Sequence, residues 1–142
     1  MRKSGKDIKR VIKPIEKQRR KIIAKVGRSE LSAVQRKILD FRKARDWAQF
    51  HDPKNLAEAL TIEAGELLEN FLWKTTEQSR NLTVEELKNV KEELADIFIF
   101  LTYLCEEYKI NLLKEVENKV AHNEVKYPVE KAKGSSKKYT EF

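Results

Sequence analysis

Residues 60–71 read LTIEAGELLENF, and residues 92–101 read EELADIFIFL. In both stretches apolar residues recur every three or four positions, which predicts two helices with one apolar face each. An acidic pair interrupts each face: Glu63 with Glu66, and Glu93 with Asp96. Side chains three residues apart are neighbours on a helix, so each pair projects from adjacent turns. Two helices therefore carry carboxylates on or beside the side that should be buried.

Carboxylates that converge in a helical core lose hydration and repel one another, so they either raise their pKa or recruit a cation. Oxygen ligands favour a hard divalent ion such as Mg²⁺, which keeps water ligands and accepts substrate phosphates. The chain has one Cys and two His, all distant in sequence from these acids, which disfavours zinc. The alternative is that the acids lie at the edge of the apolar stripe and stay solvated. Periodicity alone leaves both interpretations open.

The sequence around these stretches predicts four helices. They run from a Ser32 cap to about Phe50, from Pro53 to Trp73, from a Thr83 cap to Tyr108, and from an Asn111 cap to about Tyr127. Asp52 before Pro53 is a typical helix start, and Thr83 with Glu86 has the spacing of a capping box. Residues 75–81 are expected to form a polar connection. Short links between long helices indicate an all-α four-helix bundle.

Charge divides the 142-residue chain into three parts. The net charge is +7, but residues 1–30 hold twelve Lys or Arg against three acidic residues, so the remainder carries −2. We therefore expect a basic N-terminal extension at 1–30, a helical domain at 31–128 and an irregular basic tail at 129–142. The extension is interpreted as a solvated arm, and nucleic-acid binding through residues 2–28 is the alternative.

Apolar runs and cysteine content indicate a cytoplasmic protein. The longest apolar run, Leu94–Cys105, contains Asp96 and is shorter than the roughly 20 residues that span a bilayer. The charged N-terminus does not have the pattern of a signal peptide. The single cysteine has no partner for an internal disulfide and is interpreted as a packed thiol in a reducing compartment.

Further motifs follow one another along the chain. They are RDWxQFH at 45–51, NL at 55–56, ExGEL at 63–67, WK at 73–74, EELxDI at 92–97, KxxxN at 119–123, YP at 127–128 and GSxKKYT at 134–140. With these motifs the sequence, from about residue 41 to 142, resembles the MazG-like all-α nucleotide pyrophosphohydrolase superfamily, most closely its dCTP pyrophosphatase branch. The resemblance implies hydrolysis of a (deoxy)nucleoside triphosphate such as dCTP to the monophosphate and pyrophosphate, in nucleotide-pool sanitation.

The resemblance also implies roles for individual residues. The catalytic and metal-binding set would be Glu63, Glu66, Glu93 and Asp96, with Mg²⁺ as the cofactor and Mn²⁺ as a substitute. The substrate-binding set would be Trp47 and Trp73, which stack on the base, together with Phe100, Lys119, Asn123, Lys137, Lys138 and Tyr139. A homo-oligomer, dimer or tetramer, is expected because the pocket in this family is completed between subunits.

Two residues depart from the branch pattern. Ile38 stands where close relatives have a histidine near the base, and Phe100 stands where they have a tyrosine four residues after the metal-binding Asp. Both changes remove polar groups that could read a base edge or orient a sugar. Because a pocket lined by apolar groups discriminates weakly, the resemblance leaves the base preference open.

A different class of function competes with the enzyme. A non-catalytic helical interaction module could use the acidic face of the bundle to bind a partner. Such a module predicts no effect of Mg²⁺ on stability and a neutral Glu63→Gln substitution, whereas an enzyme predicts loss of activity with the fold retained.

Overall fold

The computed structural model describes residues 30–142. The chain divides into two compact units, Met1–Phe50 and His51–Phe142. The predictions for the N-terminal extension, a solvated arm with nucleic-acid binding by residues 2–28 as the alternative, lie outside the described residues.

In the first unit, the described part of helix α1 covers residues 30–44. Two predictions for this helix are wrong: Ser32 lies inside it and does not cap it, and the helix ends before Phe50. It ends because Asp46 has a left-handed backbone with φ of 53°, a conformation that Asp tolerates better than most residues. A 3₁₀ helix, Trp47–Phe50, follows.

In the second unit, α2 covers Pro53–Glu69. The predicted start is confirmed, because the Asp52 side chain accepts hydrogen bonds from the backbone N–H groups of Lys54 and Asn55 and Pro53 occupies the first turn. The predicted end at Trp73 is wrong. Asn70 caps the helix, and Trp73 has φ of 65°, which no right-handed helix accommodates.

The expected polar connection contains a short helix, α3, at Thr76–Arg80. Thr75 and Gln78 form a capping box at its start. The sequence analysis missed this helix because it is a single turn stabilised by capping, and its five residues carry no apolar stripe.

Helices α4, at Val84–Glu107, and α5, at Leu112–Lys126, follow the prediction closely. The Thr83–Glu86 capping box is present, and Asn111 accepts a hydrogen bond from the backbone N–H of Lys114. The tail is more ordered than expected, because it forms a short helix α6 at Val129–Ala132 and a 3₁₀ turn at Tyr139–Glu141.

The core of the second unit lies between α2 and α4. Among helices α2 to α6, these two pack against each other most extensively. Leu56 on α2 is 1% exposed, and Val90 and Tyr103 on α4 are also buried. No strand and no helix long and apolar enough to cross a membrane occurs in the described part of the chain. The long helices confirm the all-α prediction.

Candidate metal and substrate site

The α2–α4 pair brings three carboxylates together. Glu63 and Glu66 lie one turn apart on α2, and Glu93 lies one turn after the buried Val90 on α4. One oxygen from each carboxylate lies within 4.8 Å of the others. The apolar positions that pack α2 against α4 therefore also set the spacing of the acids.

The acidic cluster changes the pKa of Glu63. Burial raises the pKa of this carboxyl above its ordinary value of 4.5, and repulsion from Asp96, Glu66 and Glu93 raises it further, as does a hydrogen bond with Glu93. Asp96 lies outside the compact group of three, but its effect on Glu63 places its charge close to that group.

The donor set fits a hard divalent cation. All the converging ligand atoms are carboxylate oxygens, and a positive ion between them would offset their mutual repulsion. In residues 30–142 no second group of three or more His, Cys, Asp or Glu side chains has this spacing. The geometry therefore supports a metal site, while the role of each ligand stays a prediction.

Cys105 does not have the character of a nucleophile. The thiol is half-buried on α4, and burial raises its pKa, so the reactive thiolate is disfavoured at neutral pH. Its position in the apolar part of α4 agrees with the expected packing role.

The aromatic residues of the predicted substrate site lie in different surroundings. Trp47 belongs to the first unit, where its ring meets Phe41 edge to face at 5.7 Å between centroids. Trp73 lies in the turn after α2 and is 97% exposed. Phe100 is half-buried on α4, with its ring 6.2 Å from Tyr103.

The residues expected to contact phosphate lie on α5 and the tail. Lys119, Asn123, Lys137 and Lys138 are all exposed. Tyr139 is held to the end of α5 by an edge-to-face contact with Tyr127, at 5.8 Å between ring centroids. Lys126 Nζ lies 4.9 Å from the centre of the Tyr139 ring.

Two features near the site were missed by the sequence analysis. The sequence analysis placed His51 only in the RDWxQFH motif; in the structure its ring packs 5.2 Å from that of Tyr103 and 6.4 Å from that of Phe100. Lys74 and Glu86 form an ion pair between the turn that carries Trp73 and the start of α4. A signal for this pair existed, because Lys74 belongs to the WK motif and Glu86 to the capping box.

Fold and site together define a class: all-α proteins with an acidic site on a packed helix pair. Residues 59–142 match the MazG-like family model, and the chain belongs to that family. It is 39% identical to human dCTP pyrophosphatase 1 over 114 residues, or 79% of this chain and 67% of the relative. The bovine protein of the same name is also 39% identical over 114 residues, with 68% of its length covered.

A solved structure supports the same assignment. A crystal structure of a pyrophosphatase from Archaeoglobus fulgidus superposes with a TM-score of 0.62 at 39% identity, covering 70% of this chain and 91% of that one. These similarities confirm the predicted family, the all-α fold and the enzyme class, nucleoside triphosphate pyrophosphohydrolase.

Proposed function

We propose that this protein hydrolyses dCTP, or a closely related deoxynucleoside triphosphate, to the monophosphate and pyrophosphate in the cytoplasm, where it removes unwanted nucleotides. The observation that carries the proposal is the convergence of Glu63, Glu66 and Glu93 on the packed α2–α4 pair. The substrate follows from the names of the relatives, human and bovine dCTP pyrophosphatase 1.

Glu63, Glu66, Glu93 and Asp96 would hold Mg²⁺, with Mn²⁺ as a substitute. When bound, the metal neutralises phosphate charge and lowers the pKa of a coordinated water. By fixing the position of the metal ion, the four carboxylates would orient the triphosphate. A carboxylate oxygen of Glu63 is our candidate to accept the proton of the attacking water, because this residue lies at the centre of the acidic interactions.

Binding of the substrate would involve both of its ends. Trp73 of the second unit would offer an indole face for the base, and stacking on an aromatic face tolerates any base. Trp47, in the first unit, stays the other predicted platform. Lys119 and Asn123 on α5, with Lys137, Lys138 and Tyr139 of the tail, would contact the phosphates, since a Lys ammonium suits phosphate as a point charge. The contacts of Tyr139 with Tyr127 and Lys126 support this assignment because they hold the tail against the end of α5.

Phe100 bears on the choice of base. Its phenyl ring is half-buried among His51 and Tyr103 and offers no hydroxyl to a substrate. A site without that donor or acceptor discriminates less between related nucleotides than one that hydrogen-bonds them. We therefore propose activity on several pyrimidine nucleotides, with dCTP among them.

The working form would be a homo-oligomer, a dimer or a tetramer. Helix α5 packs little against α2, α3, α4 or α6, yet exposes three apolar residues on one side: Leu113, Val116 and Val120. A helix with an uncovered apolar side normally buries it against another surface. A second copy of the chain would cover this side and bring Lys119 and Asn123 close to the partner subunit.

The catalytic proposal is tested with a panel of nucleoside triphosphates and Mg²⁺, by measuring pyrophosphate and orthophosphate separately. We expect pyrophosphate as the direct product and loss of turnover in Glu93→Gln, with an unchanged circular dichroism spectrum. Direct release of orthophosphate would contradict the proposed bond cleavage. Full activity of Glu93→Gln would contradict the proposed role of Glu93. No release of pyrophosphate from any nucleotide would favour the non-catalytic interaction module.

The oligomer is tested by light scattering after size-exclusion chromatography. Val120→Lys places a charge on the apolar side of α5. It should lower the measured molecular mass of the protein particle from that of an oligomer toward that of the monomer. The matched control is Asn118→Lys, because Asn118 is exposed about half a helical turn away on the opposite side. Equal masses for the two variants would contradict the interface.

A further inference from the structure

The turn that carries Trp73 has an unusual backbone for its sequence. Trp73 has φ of 65°, and a bulky residue in this left-handed region is strained. Its indole is nonetheless 97% exposed, so packing of the ring cannot hold the conformation. A strained residue persists only where its surroundings determine it. The residues beside Trp73 must therefore supply the restraint.

Local backbone hydrogen bonds supply part of that restraint. The N–H of Phe71 donates to Leu68 O at 2.9 Å, and the N–H of Lys74 donates to Phe71 O at 3.1 Å. Each bond joins residues three apart and closes a tight turn; the first turn precedes Trp73, and the second contains it. They fix the path of the chain but do not tie the turn to the rest of the unit.

The Lys74 side chain makes that link. Its ammonium group donates a hydrogen bond to Glu86 Oε1 on the first turn of α4. The two side chains are 21% and 35% exposed, so this pair is better shielded from water than Lys54–Glu58 or Lys88–Glu92, each of which joins neighbours on one helix. Shielded ion pairs are screened less by salt and solvent than exposed ones.

Glu86 is itself fixed at both oxygens. While Oε1 accepts from Lys74, Oε2 accepts from the backbone N–H of Thr83 at 2.7 Å. The Glu86 N–H in turn donates to the Thr83 hydroxyl at 3.2 Å. The carboxylate therefore has little rotational freedom, and the residue next to Trp73 is anchored to the same helix that carries Glu93.

We propose that Lys74 and Glu86 are positioning residues that hold the exposed indole of Trp73 in place to stack on the nucleobase, at a fixed distance from the carboxylates of α4. This inference rests on the proposed function, in which Trp73 is a platform for the base. It adds a link between the base end and the metal end of the site, both of which depend on α4.

The decisive measurement is the effect of Lys74→Met and Glu86→Gln on KM and kcat. We expect each to raise KM about ten-fold and to change kcat less than about two-fold, because a base platform binds the ground state and the transition state alike. Glu86→Gln keeps the capping box, which accepts Gln at this position. Lys74→Arg preserves the ion pair and should restore KM to within about three-fold of the original value.

Lys88→Met is the matched control, because it removes an exposed ion pair, Lys88–Glu92, on α4, the helix that also carries Glu86. We expect no change in KM for this variant. A second readout is the time-resolved fluorescence anisotropy of Trp73 in a Trp47→Phe background, where Trp73 is the sole indole. Lys74→Met should add a fast component, and Lys88→Met should not.

Three outcomes would overturn the proposal. A lower melting temperature with unchanged KM would make the pair merely structural. A raised KM in Lys74→Met but not in Glu86→Gln would mean that Lys74 itself contacts the substrate. Unchanged anisotropy would mean that the pair does not hold Trp73. Failure of the proposed function gives a different result, because the unsubstituted protein would then release no pyrophosphate from any nucleotide.

Discussion

Replacing Glu63 with Gln should stabilise the metal-free protein while removing its response to Mg²⁺. One oxygen each of Glu63, Glu66 and Glu93 lies within 4.8 Å of the others, and two unit charges at that distance in bulk water repel by about 0.9 kcal/mol. The substitution removes two of these repulsions, so the free energy of unfolding should rise by about 2 kcal/mol at pH 8. For a 142-residue chain that corresponds to a melting temperature about 6 °C higher.

Mg²⁺ should also raise the melting temperature of the unsubstituted protein. At a concentration one hundred times its dissociation constant, a ligand that binds only the folded state adds about 2.7 kcal/mol, or about 9 °C for a chain of this size. Glu63→Gln should lose most of this shift because one ligand and one charge are gone. The assay is differential scanning calorimetry in EDTA and in a Mg²⁺ titration, at constant ionic strength.

Glu58→Gln is the matched control for this experiment. Glu58 lies on the same helix and forms an exposed ion pair with Lys54 at 3.4 Å. Exposed pairs contribute little to stability, so the melting temperature should stay within about 2 °C and the response to Mg²⁺ should be unchanged. A fall in the melting temperature of Glu63→Gln in EDTA, or an equal Mg²⁺ shift in both variants, would refute the electrostatic reasoning.

Three further predictions concern the α2–α4 pair. Leu56→Ala should cost about 2–5 kcal/mol of unfolding free energy, as measured by urea denaturation, because Leu56 is only 1% exposed and the deletion leaves a cavity. Thr83→Ala should cost about 1 kcal/mol by the same measurement, since the side chain caps α4; no change would mean that the cap is dispensable. The third prediction concerns pH. The pKa of Glu63 in the folded protein is raised above 4.5, so between 4.5 and the raised value the folded protein binds more protons at Glu63 than the unfolded chain does. The stability of the metal-free protein should therefore fall as pH rises from 4.5 through the raised value. Hydrogen bonds from Lys74 and Thr83 lower the pKa of Glu86 to about 2, so its contribution is complete above 4.5 and is lost as pH falls toward 2. NMR titration of the Glu side chains would test both directions.

Sequence alone determined the helices whose starts have a local chemical signature. Asp52-Pro53, Thr83 with Glu86, and Asn111 each place a side-chain oxygen where the first free N–H groups of a helix need an acceptor. The carboxylate pairs were visible for a similar reason, because an acid within an apolar stripe is an anomaly that a three-residue spacing reveals. The family motifs then assigned a chemistry to that anomaly.

The ends of α1 and α2 were not revealed by the sequence. Asp46 takes a left-handed conformation where α1 ends, and α2 ends at Glu69, before the left-handed Trp73, although the apolar periodicity continues through both regions. At the Trp73 turn, the proposed restraint is the ion pair of Lys74 with Glu86, which joins the turn to α4. Periodicity records only which side of a segment is buried, so it carries no information on where a turn is held.

The convergence of the acids was likewise decided by the tertiary structure. Sequence places Glu63 and Glu66 on one helix and Glu93 on another, but only the register of α2 against α4, set by buried residues such as Leu56 and Val90, brings their oxygens within 4.8 Å. Spacing along a helix is fixed by the geometry of the backbone and can be read from the chain. Spacing between helices depends on how their side chains interlock, which is a property of the folded pair.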